Sequence, residues 1–476
     1  MKFQKTKLKI YIASISCILL VTILSCFFIR RNYILKINSI QELSQNEKII
    51  FDKIIQDYRN SKLKSQGLKN TQSLPYKYVP ANLEINAESA ILINATTGDI
   101  LYEKNPDQLI PPASMTKIFL MYTVFQKVKE GKISFDDVVP LPPECWASHM
   151  PPRSSLMFLG KNQIVTLREL MTGLSVCSGN DASHAIAFYL FGSVEKFLEE
   201  VNKQIKLIGL KNTIIVEPSG YSDKNITTAR EMADFARVYI SKFPESLQMF
   251  HSVKQIAYPQ KKNIAPEDVG KRSQVFNGVF PDSIWSTIVQ GNTNKLLNTL
   301  DGCDGLKTGY IKESGYNLSL TCQRNGERFL SVTMKGPGRN IFIGNELRQK
   351  DGTTLQEFAF NTFKTTEEIN YKEFIVPVLG SKKDAIKLIV PCSLLTSIPK
   401  FKDKNGNQIN NSISVEIIKP NVLFGEILQG KEYGKIKVYS GNFLIREESL
   451  IADRESNKSN ILKRIFDKLI YFTIKK

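Results

Sequence analysis

The chain has 476 residues, too many for one ordinary domain and enough for two or three, and its 42% hydrophobic and 23% charged content is ordinary for folded protein. Its 64 Lys+Arg against 46 Asp+Glu give a formal charge of +18, which would attract nucleic acid or an anionic membrane. No zinc-ligand spacing and no basic helix interleaved with stacking aromatics is present, and basic clusters lie beside apolar segments at both chain ends, so the cytoplasmic membrane surface is the expected partner and nucleic acid is not.

Residues 1–9 form a basic segment carrying Lys2, Lys5, Lys7 and Lys9. Residues 10–29 are uncharged and mostly apolar, long enough to cross a bilayer core of about 30 Å as a helix. The larger positive cluster in front favours a cytoplasmic N-terminus. A cleaved signal peptide is the competing reading, but no A-x-A-like site closes the run, so the segment is expected to remain as an anchor. Residues 30–80 are polar, with a short helix expected over Glu47–Tyr58, and read as a spacer.

Residues 81–365 have the texture of a globular α/β domain. Ala90–Asn94 and Asp99–Tyr102 form a hairpin around Thr97-Gly98. Helical periodicity follows over Ser114–Val128 and Leu167–Leu174, the latter opened by a capping box from Thr166 to Glu169. A small-residue helix covers Ala182–Leu190. Residues 255–290, with Pro, Asn and Lys and weak periodicity, read as a looser insertion. Asn317–Cys322 and Phe329–Met334 form a hairpin across Asn325-Gly326. Short strands with Asn-Gly turn chemistry make 366–452 a small all-β domain. In 453–476, apolar Ile461, Leu462, Ile465, Phe466, Leu469 and Ile470 fall opposite Lys463, Arg464 and Lys468. Such a basic amphipathic helix at a terminus is expected to lie on a membrane surface, rather than to pack on its own domain.

Seven cysteines show no paired disulfide pattern, and three histidines (His149, His184, His251) leave little for a His-based triad or a metal site. No metal and no organic cofactor is indicated. Cys177 reads as a buried structural thiol and His184 as packed or capping, while Trp146 and His149 fall in a loop that borders a cleft without a catalytic role.

Three short motifs remain. Ser114-Met115-Thr116-Lys117 has the pattern S-x-x-K, which Ser61/Lys64 and Ser397/Lys400 also match. Context separates them: Pro111-Pro112 opens a helix whose Ile118, Phe119, Met121, Tyr122 and Phe125 draw an apolar stripe. Ser114 therefore sits in a first turn, with Lys117 one turn on along the same face. A serine hydroxyl needs a base, and a lysine serves only when burial or nearby positive charge leaves it neutral. Ser178-Gly179-Asn180 forms a polar turn between two buried helices, where Ser178 relays a proton to a leaving amine and Asn180 holds a substrate carbonyl. An ordinary capping turn is its bland alternative. Lys307-Thr308-Gly309 starts an edge strand beside the second hairpin, open to an extended peptide, with Lys307 and Thr308 binding a free carboxylate and Gly309 permitting close approach. The backbone N–H groups of Ser114 and Tyr310 make an oxyanion hole.

The ordered triple, with SAILINATTGDILYE at 89–103, CSGNDA at 177–182, TAREMA at 228–233 and DGLKTGY at 304–310, resembles the D-alanyl-D-alanine carboxypeptidases, the low-molecular-mass penicillin-binding proteins. The likeness covers roughly 85–365 and extends to the trailing β domain and terminal helix. It implies an α/β (α+β) serine DD-peptidase/β-lactamase-like catalytic domain, an antiparallel sheet packed by helices, with terminal membrane helices. It implies an acyl-enzyme at Ser114 with Lys117 as base, cutting peptidoglycan stem peptides that end in D-Ala-D-Ala, open to acylation by β-lactams, on the extracytoplasmic face of the cell membrane. It also implies an arginine shortly after the second hairpin that helps to bind the carboxylate, for which Arg339 is the candidate, and matches Arg230 to a family position of binding or structural role. A β-lactamase on the same scaffold and an idle cell-wall scaffolding protein are the alternatives.

Overall fold

The computed structural model describes residues 71–78, 81–272, 280–366, 374–391, 394–400 and 412–474. The anchor expected at 10–29 and the helix expected at 47–58 lie outside these residues. Among the described residues no helix is long and apolar enough to cross a membrane. They fall into two compact units, one drawn from 71–366 with 396–400, the other from 374–395 and 412–474.

The first unit is organised by a six-stranded sheet of β1 (Gln72–Ser73), β2 (Ser89–Asn94), β3 (Asp99–Lys104), β4 (Cys303–Ile311), β5 (Gly315–Arg324) and β6 (Glu327–Gly336). Their order is β1-β3-β2-β6-β5-β4, antiparallel throughout except where β1 joins β3. All six residues of β2 are buried because both sheet faces are covered. Ala90 and Leu92 point into one core with Leu318, Leu320 and Phe329 and with Leu355 and Ala359 of the long helix α6 (Ile341–Thr362). Ile91 and Ile93 point into the other, with Leu330, Val332 and Met334 and with Phe119 and Phe235. Helices α1 (Lys117–Lys129), α2 (Leu167–Val176), α3 (Asn180–Phe191), α4 (Val194–Ile208) and α5 (Ala229–Lys242) build that second layer. The capping box at Thr166 and Glu169 opens α2 as expected. Positive φ at Asn325 (51°) and Gly326 (82°) closes the β5–β6 hairpin in the primed-turn manner.

Three boundaries differ from expectation. β1 pairs with β3, so the first unit begins before residue 81. Ser397–Pro399 pairs with Phe363–Thr365, and the Asp99 carboxylate accepts from Ser397 N at 2.6 Å and Thr396 Oγ1 at 3.0 Å, so 396–400 returns to this unit rather than joining the β domain. Lys307 lies within β4, not at its start. The described parts of the 255–290 segment, 255–272 and 280–290, are also tied down more firmly than their composition implies. Gln255–Tyr258 pairs with Ile288–Gly291, the Tyr258 hydroxyl donates to Gln163 at 2.8 Å, and Gln290 donates to Leu156 O at 3.0 Å.

The second unit is the expected all-β domain: β7 (Phe374–Leu379), β8 (Ala385–Ile389), β9 (Ile413–Ile418), β10 (Leu423–Phe424), β11 (Glu432–Ser440) and β12 (Phe443–Ala452), in the order β9-β11-β12-β8-β7-β10. Val376, Ile386, Leu388, Ile436, Val438 and Leu450 form its core. Helix α7 (Ile461–Ile474) docks on it through polar groups. Asp467 is buried and accepts from Gly380 N at 2.7 Å, and Lys463 Nζ donates to Ser381 O at 3.0 Å and to Asp384 at 2.9 Å. The apolar side chains of Leu462, Ile465, Leu469 and Phe472 remain exposed.

Candidate active site

Ser114 sits in the 3-10 turn Ala113–Thr116, which runs directly into α1. The turn is gripped from two sides by glycines, Gly220 in the loop before α5 and Gly309 on β4. A Cβ on Gly309 would lie 2.6 Å from Pro112 O and 3.2 Å from Ser114 N. Only a glycine lets the strand come this close.

Lys117 is wholly buried one turn on, and its Nζ reaches three oxygens: Ser114 Oγ at 2.9 Å, Asn180 Oδ1 at 2.9 Å and Ser219 O at 2.6 Å. Three acceptors match the three protons of an ammonium and hold the nitrogen against the serine. Burial pushes the Lys117 pKa down to about 8, against the opposing pull of Glu217, Asp181 and Cys177. A useful fraction of the amine is therefore neutral near pH 7, and neutral Nζ is a base aimed at the Ser114 proton.

The Asn180 side comes from the break between α2 and α3. Ser178 occupies the left-handed region at φ 61°, and its buried hydroxyl has no hydrogen-bond partner among the described residues. Backbone strain and an unsatisfied hydroxyl together mark a site rather than a plain cap. Asp181, unremarked in the sequence reading, organises this corner. Its buried carboxylate accepts from Met157 N and Phe158 N, both at 2.8 Å, and from Leu159 N at 3.0 Å, while Asn180 N donates to Ser155 O at 2.7 Å. Burial raises the Asp181 pKa and those backbone bonds oppose the rise.

Glu217 does the same for the loop that supplies Ser219. Its carboxylate accepts from Ser219 N at 2.8 Å and Tyr221 N at 2.7 Å and lies 3.3 Å from His184 Nε2. Burial alone would raise its pKa, but hydrogen bonds from His184 and Ser219 and the charge of Lys117 bring it down to about 2. His184 is thus an orienting contact on the wall of a cleft of about 610 Å³ that Asn180, Ser219, Tyr221, Met150 and His149 also line. Trp146 instead donates to Leu141 O at 3.0 Å.

Edge strand β4 passes against the Ser114 turn at Gly309. Lys307 is wholly buried and donates to Thr308 O at 3.1 Å, and Thr308 Oγ1 donates to Thr293 Oγ1 at 2.8 Å. Burial, then the charges of Lys117 and Arg348, drive the Lys307 pKa well below its usual value. Arg348, reaching in from α6, donates to Gly309 O at 3.3 Å, and burial holds its pKa down to about 10. Among the described residues neither Lys307 nor Arg348 has an ion-pair partner. Buried basic groups without counterions mark a place where an anionic ligand would favour their charged forms and complete the charge balance. His251 steadies the strand from behind, with Nδ1 at 3.2 Å from Leu306 O and Nε2 at 3.0 Å from the Tyr239 hydroxyl. Tyr310 packs its ring on Tyr316, with 4.4 Å between centroids, and follows directly on Gly309, which lies against Ser114 N.

The profile of the peptidase S11 family, D-alanyl-D-alanine carboxypeptidase, matches residues 76–338. The chain belongs to this family. The D-alanyl-D-alanine carboxypeptidase DacA of Haemophilus influenzae is 30% identical to it over 81% of this chain and 89% of the relative. DacF of Bacillus subtilis, of the same description, is 28% identical over 80% of this chain and 89% of its own length. Among solved structures, penicillin binding protein 5 from Haemophilus influenzae aligns with a TM-score of 0.62 at 28% identity, over 80% of this chain and all (100%) of the other. The D-alanyl-D-alanine carboxypeptidase DacD from Francisella tularensis aligns with a TM-score of 0.62 at 25% identity, over 81% and 97%. The fold is the DD-peptidase fold of these penicillin-binding proteins.

Within that family frame the structure brings Ser114, Lys117, Asn180 and Gly309 together, with Lys307 close enough to feel the Lys117 charge and Ser178 and Thr308 adjoining along the chain, and it separates the two arginines. Arg339 is exposed in the loop between β6 and α6. The arginine at the strand is Arg348. A signal for it exists in the sequence: Gly344, Arg348 and Gly352 recur every four residues, and the two glycines press that stripe of α6 onto Tyr316, Leu318 and Leu320 of β5. Arg230 is occupied elsewhere, pairing with Asp107 at 2.7 Å and Glu103 at 3.1 Å, where it pins the start of α5 to the loop after β3. It is a structural residue.

Proposed function

We propose that the chain is a serine-type D-alanyl-D-alanine carboxypeptidase that removes the terminal D-alanine from peptidoglycan stem pentapeptides through an acyl-enzyme at Ser114. The observation that carries this reading is the contact between Ser114 Oγ and a fully buried Lys117 Nζ with a lowered pKa, beside the strand that carries Lys307 and the α6 side chain Arg348, two buried basic groups with no ion-pair partner among the described residues. Neutral Lys117 takes the hydroxyl proton as Ser114 Oγ attacks the carbonyl of the penultimate D-alanine. The Ser114 and Tyr310 N–H groups receive the oxyanion. Ser178, whose hydroxyl is unpartnered among the described residues, passes the proton to the departing D-alanine amine, and water then hydrolyses the Ser114 ester. Lys307, Thr308 and Arg348 hold the terminal carboxylate, and Asn180 holds a substrate carbonyl. A β-lactam places its own carboxylate on the same cations and acylates the same hydroxyl.

The reading extends to location. The catalytic unit works on the extracytoplasmic face of the cell membrane, tethered by residues 10–29 and resting on the surface through the exposed apolar side of α7. What favours surface attachment is that α7 spends its polar groups on its own β domain and keeps Leu462, Leu469 and Phe472 outward. The direct test is D-alanine release from a pentapeptide together with labelled-penicillin uptake by the full-length protein in detergent. Absence of both would leave an idle scaffold as the better account, and loss of the label within milliseconds would favour a β-lactamase.

A further inference from the structure

Cys303 opens β4, on the strand that carries Lys307, and Cys322 lies directly opposite it on β5. Opposed residues of an antiparallel pair project to the same face of the sheet. That face is the one covered by α6: Cys322 belongs to the core with Leu318, Leu320 and Leu355, and Cys303 packs against the same core. The rung itself favours close approach. Gln323 N donates to Gly302 O at 2.9 Å, while Cys303 N turns away to Leu300 O at 3.2 Å, so Cys303 and Cys322 do not exchange two backbone bonds. Rungs without that exchange bring Cα atoms to about 4.5 Å and side chains nearest each other, inside the range a disulfide spans. The neighbouring Cys322 thiol lowers the Cys303 pKa, against the opposing effect of burial, while the Cys322 pKa is itself pushed far up. Cys303 is half-buried and reachable, whereas Cys322 is enclosed.

The geometry points to a cross-strand disulfide between Cys303 and Cys322, made by exchange with a disulfide oxidant, that ties the substrate-binding strand β4 to β5. Sequence spacing gives no hint of such a pair because strand register, not a cysteine motif, creates it. In the first step the Cys303 thiolate attacks one sulfur of the oxidant's disulfide, forming a mixed disulfide and releasing one thiol of the oxidant. Cys322 then attacks the Cys303 sulfur, giving up its proton to the departing sulfur, and displaces the second thiol of the oxidant. The two cysteines lose two electrons and two protons, and the oxidant takes up both as it is reduced to two thiols. The irregularity in register between Cys303 and Gly305 sits beside the bridge, so closure restrains the least regular part of β4, just ahead of Lys307.

The test uses full-length protein in detergent, incubated with oxidised glutathione, alkylated, and digested without reduction. The expected product is a peptide pair joined through Cys303 and Cys322, lighter by about 2 Da than the two thiol peptides together. The melting temperature should rise by about 5 °C over that of the reduced protein. Cys303→Ser should lose both effects and, when reduced, still be acylated by penicillin at the unoxidised rate. A glutathione adduct that persists on Cys303, or alkylation of both thiols after the oxidant treatment, would overturn the proposal, as would the same melting shift in Cys303→Ser.

Discussion

Gly220 and Ala113 are in backbone contact: a Cβ added to Gly220 would fall 1.8 Å from the Ala113 carbonyl oxygen, at a φ of +81° that already disfavours any side chain. Through this contact the loop carrying Ser219 presses on the turn carrying Ser114, so nucleophile and base share one scaffold. Gly220→Ala is expected to cost about 2–4 kcal/mol of stability or to displace Ser114. In either case penicillin acylation should fall at least about tenfold, measured as labelling rate at a temperature where circular dichroism reports folded protein. Unchanged labelling would show that the turn does not depend on this loop.

The lowered pKa of Lys117 sets the direction of pH dependence. Lys117 acts as a base only when neutral, and its pKa lies at about 8. The acylation rate should therefore rise about tenfold per pH unit below 8 and level off above it. Glu217, ionised down to about 2, contributes no limb in this range. A rate flat from pH 6 to 8 would remove Lys117 from the role of base.

The two arginines separate cleanly. Arg348→Ala removes a buried cation beside Gly309 and is expected to reduce kcat/KM for a pentapeptide about 10- to 100-fold, mainly through KM. Arg339→Ala, at an exposed loop position, should stay within about twofold of the unaltered enzyme. Reversal of this order in steady-state kinetics would restore Arg339 as the carboxylate ligand.

The exposed side of α7 makes a surface prediction. Leu469→Glu with Phe472→Glu should reduce co-sedimentation of the isolated 71–476 chain with anionic vesicles, while D-alanine release in solution is unaffected. Equal vesicle binding would assign the apolar face another purpose.

Much of this site is legible in the sequence because the motif residues fall where local structure is strongly coded. Pro111-Pro112 and the stripe after Ser114 announce a helix start, and Asn325-Gly326 announces the hairpin that fixes β4 as an edge. What escaped the sequence is long-range. Asp181 and Glu217 act by collecting backbone N–H groups from separate loops, and no local pattern reveals which loops will meet. Distance along the chain after the hairpin points to Arg339 rather than Arg348, and it is a poor guide once a helix folds back over the sheet. The ends of the catalytic unit were misjudged for a similar reason. Gln72 and Ser397 are recruited by Asp99 and its strand from outside the segment whose periodicity looked globular.

The most direct measurement is intact and peptide mass spectrometry of the full-length protein after brief treatment with penicillin at pH 8, alongside Ser114→Ala and Lys117→Ala. The account predicts one penicilloyl group, mapped to Ser114 in the unaltered protein, none in Ser114→Ala, and labelling slowed by several orders of magnitude in Lys117→Ala. A penicilloyl group on any other residue, or undiminished labelling in Lys117→Ala, would contradict it.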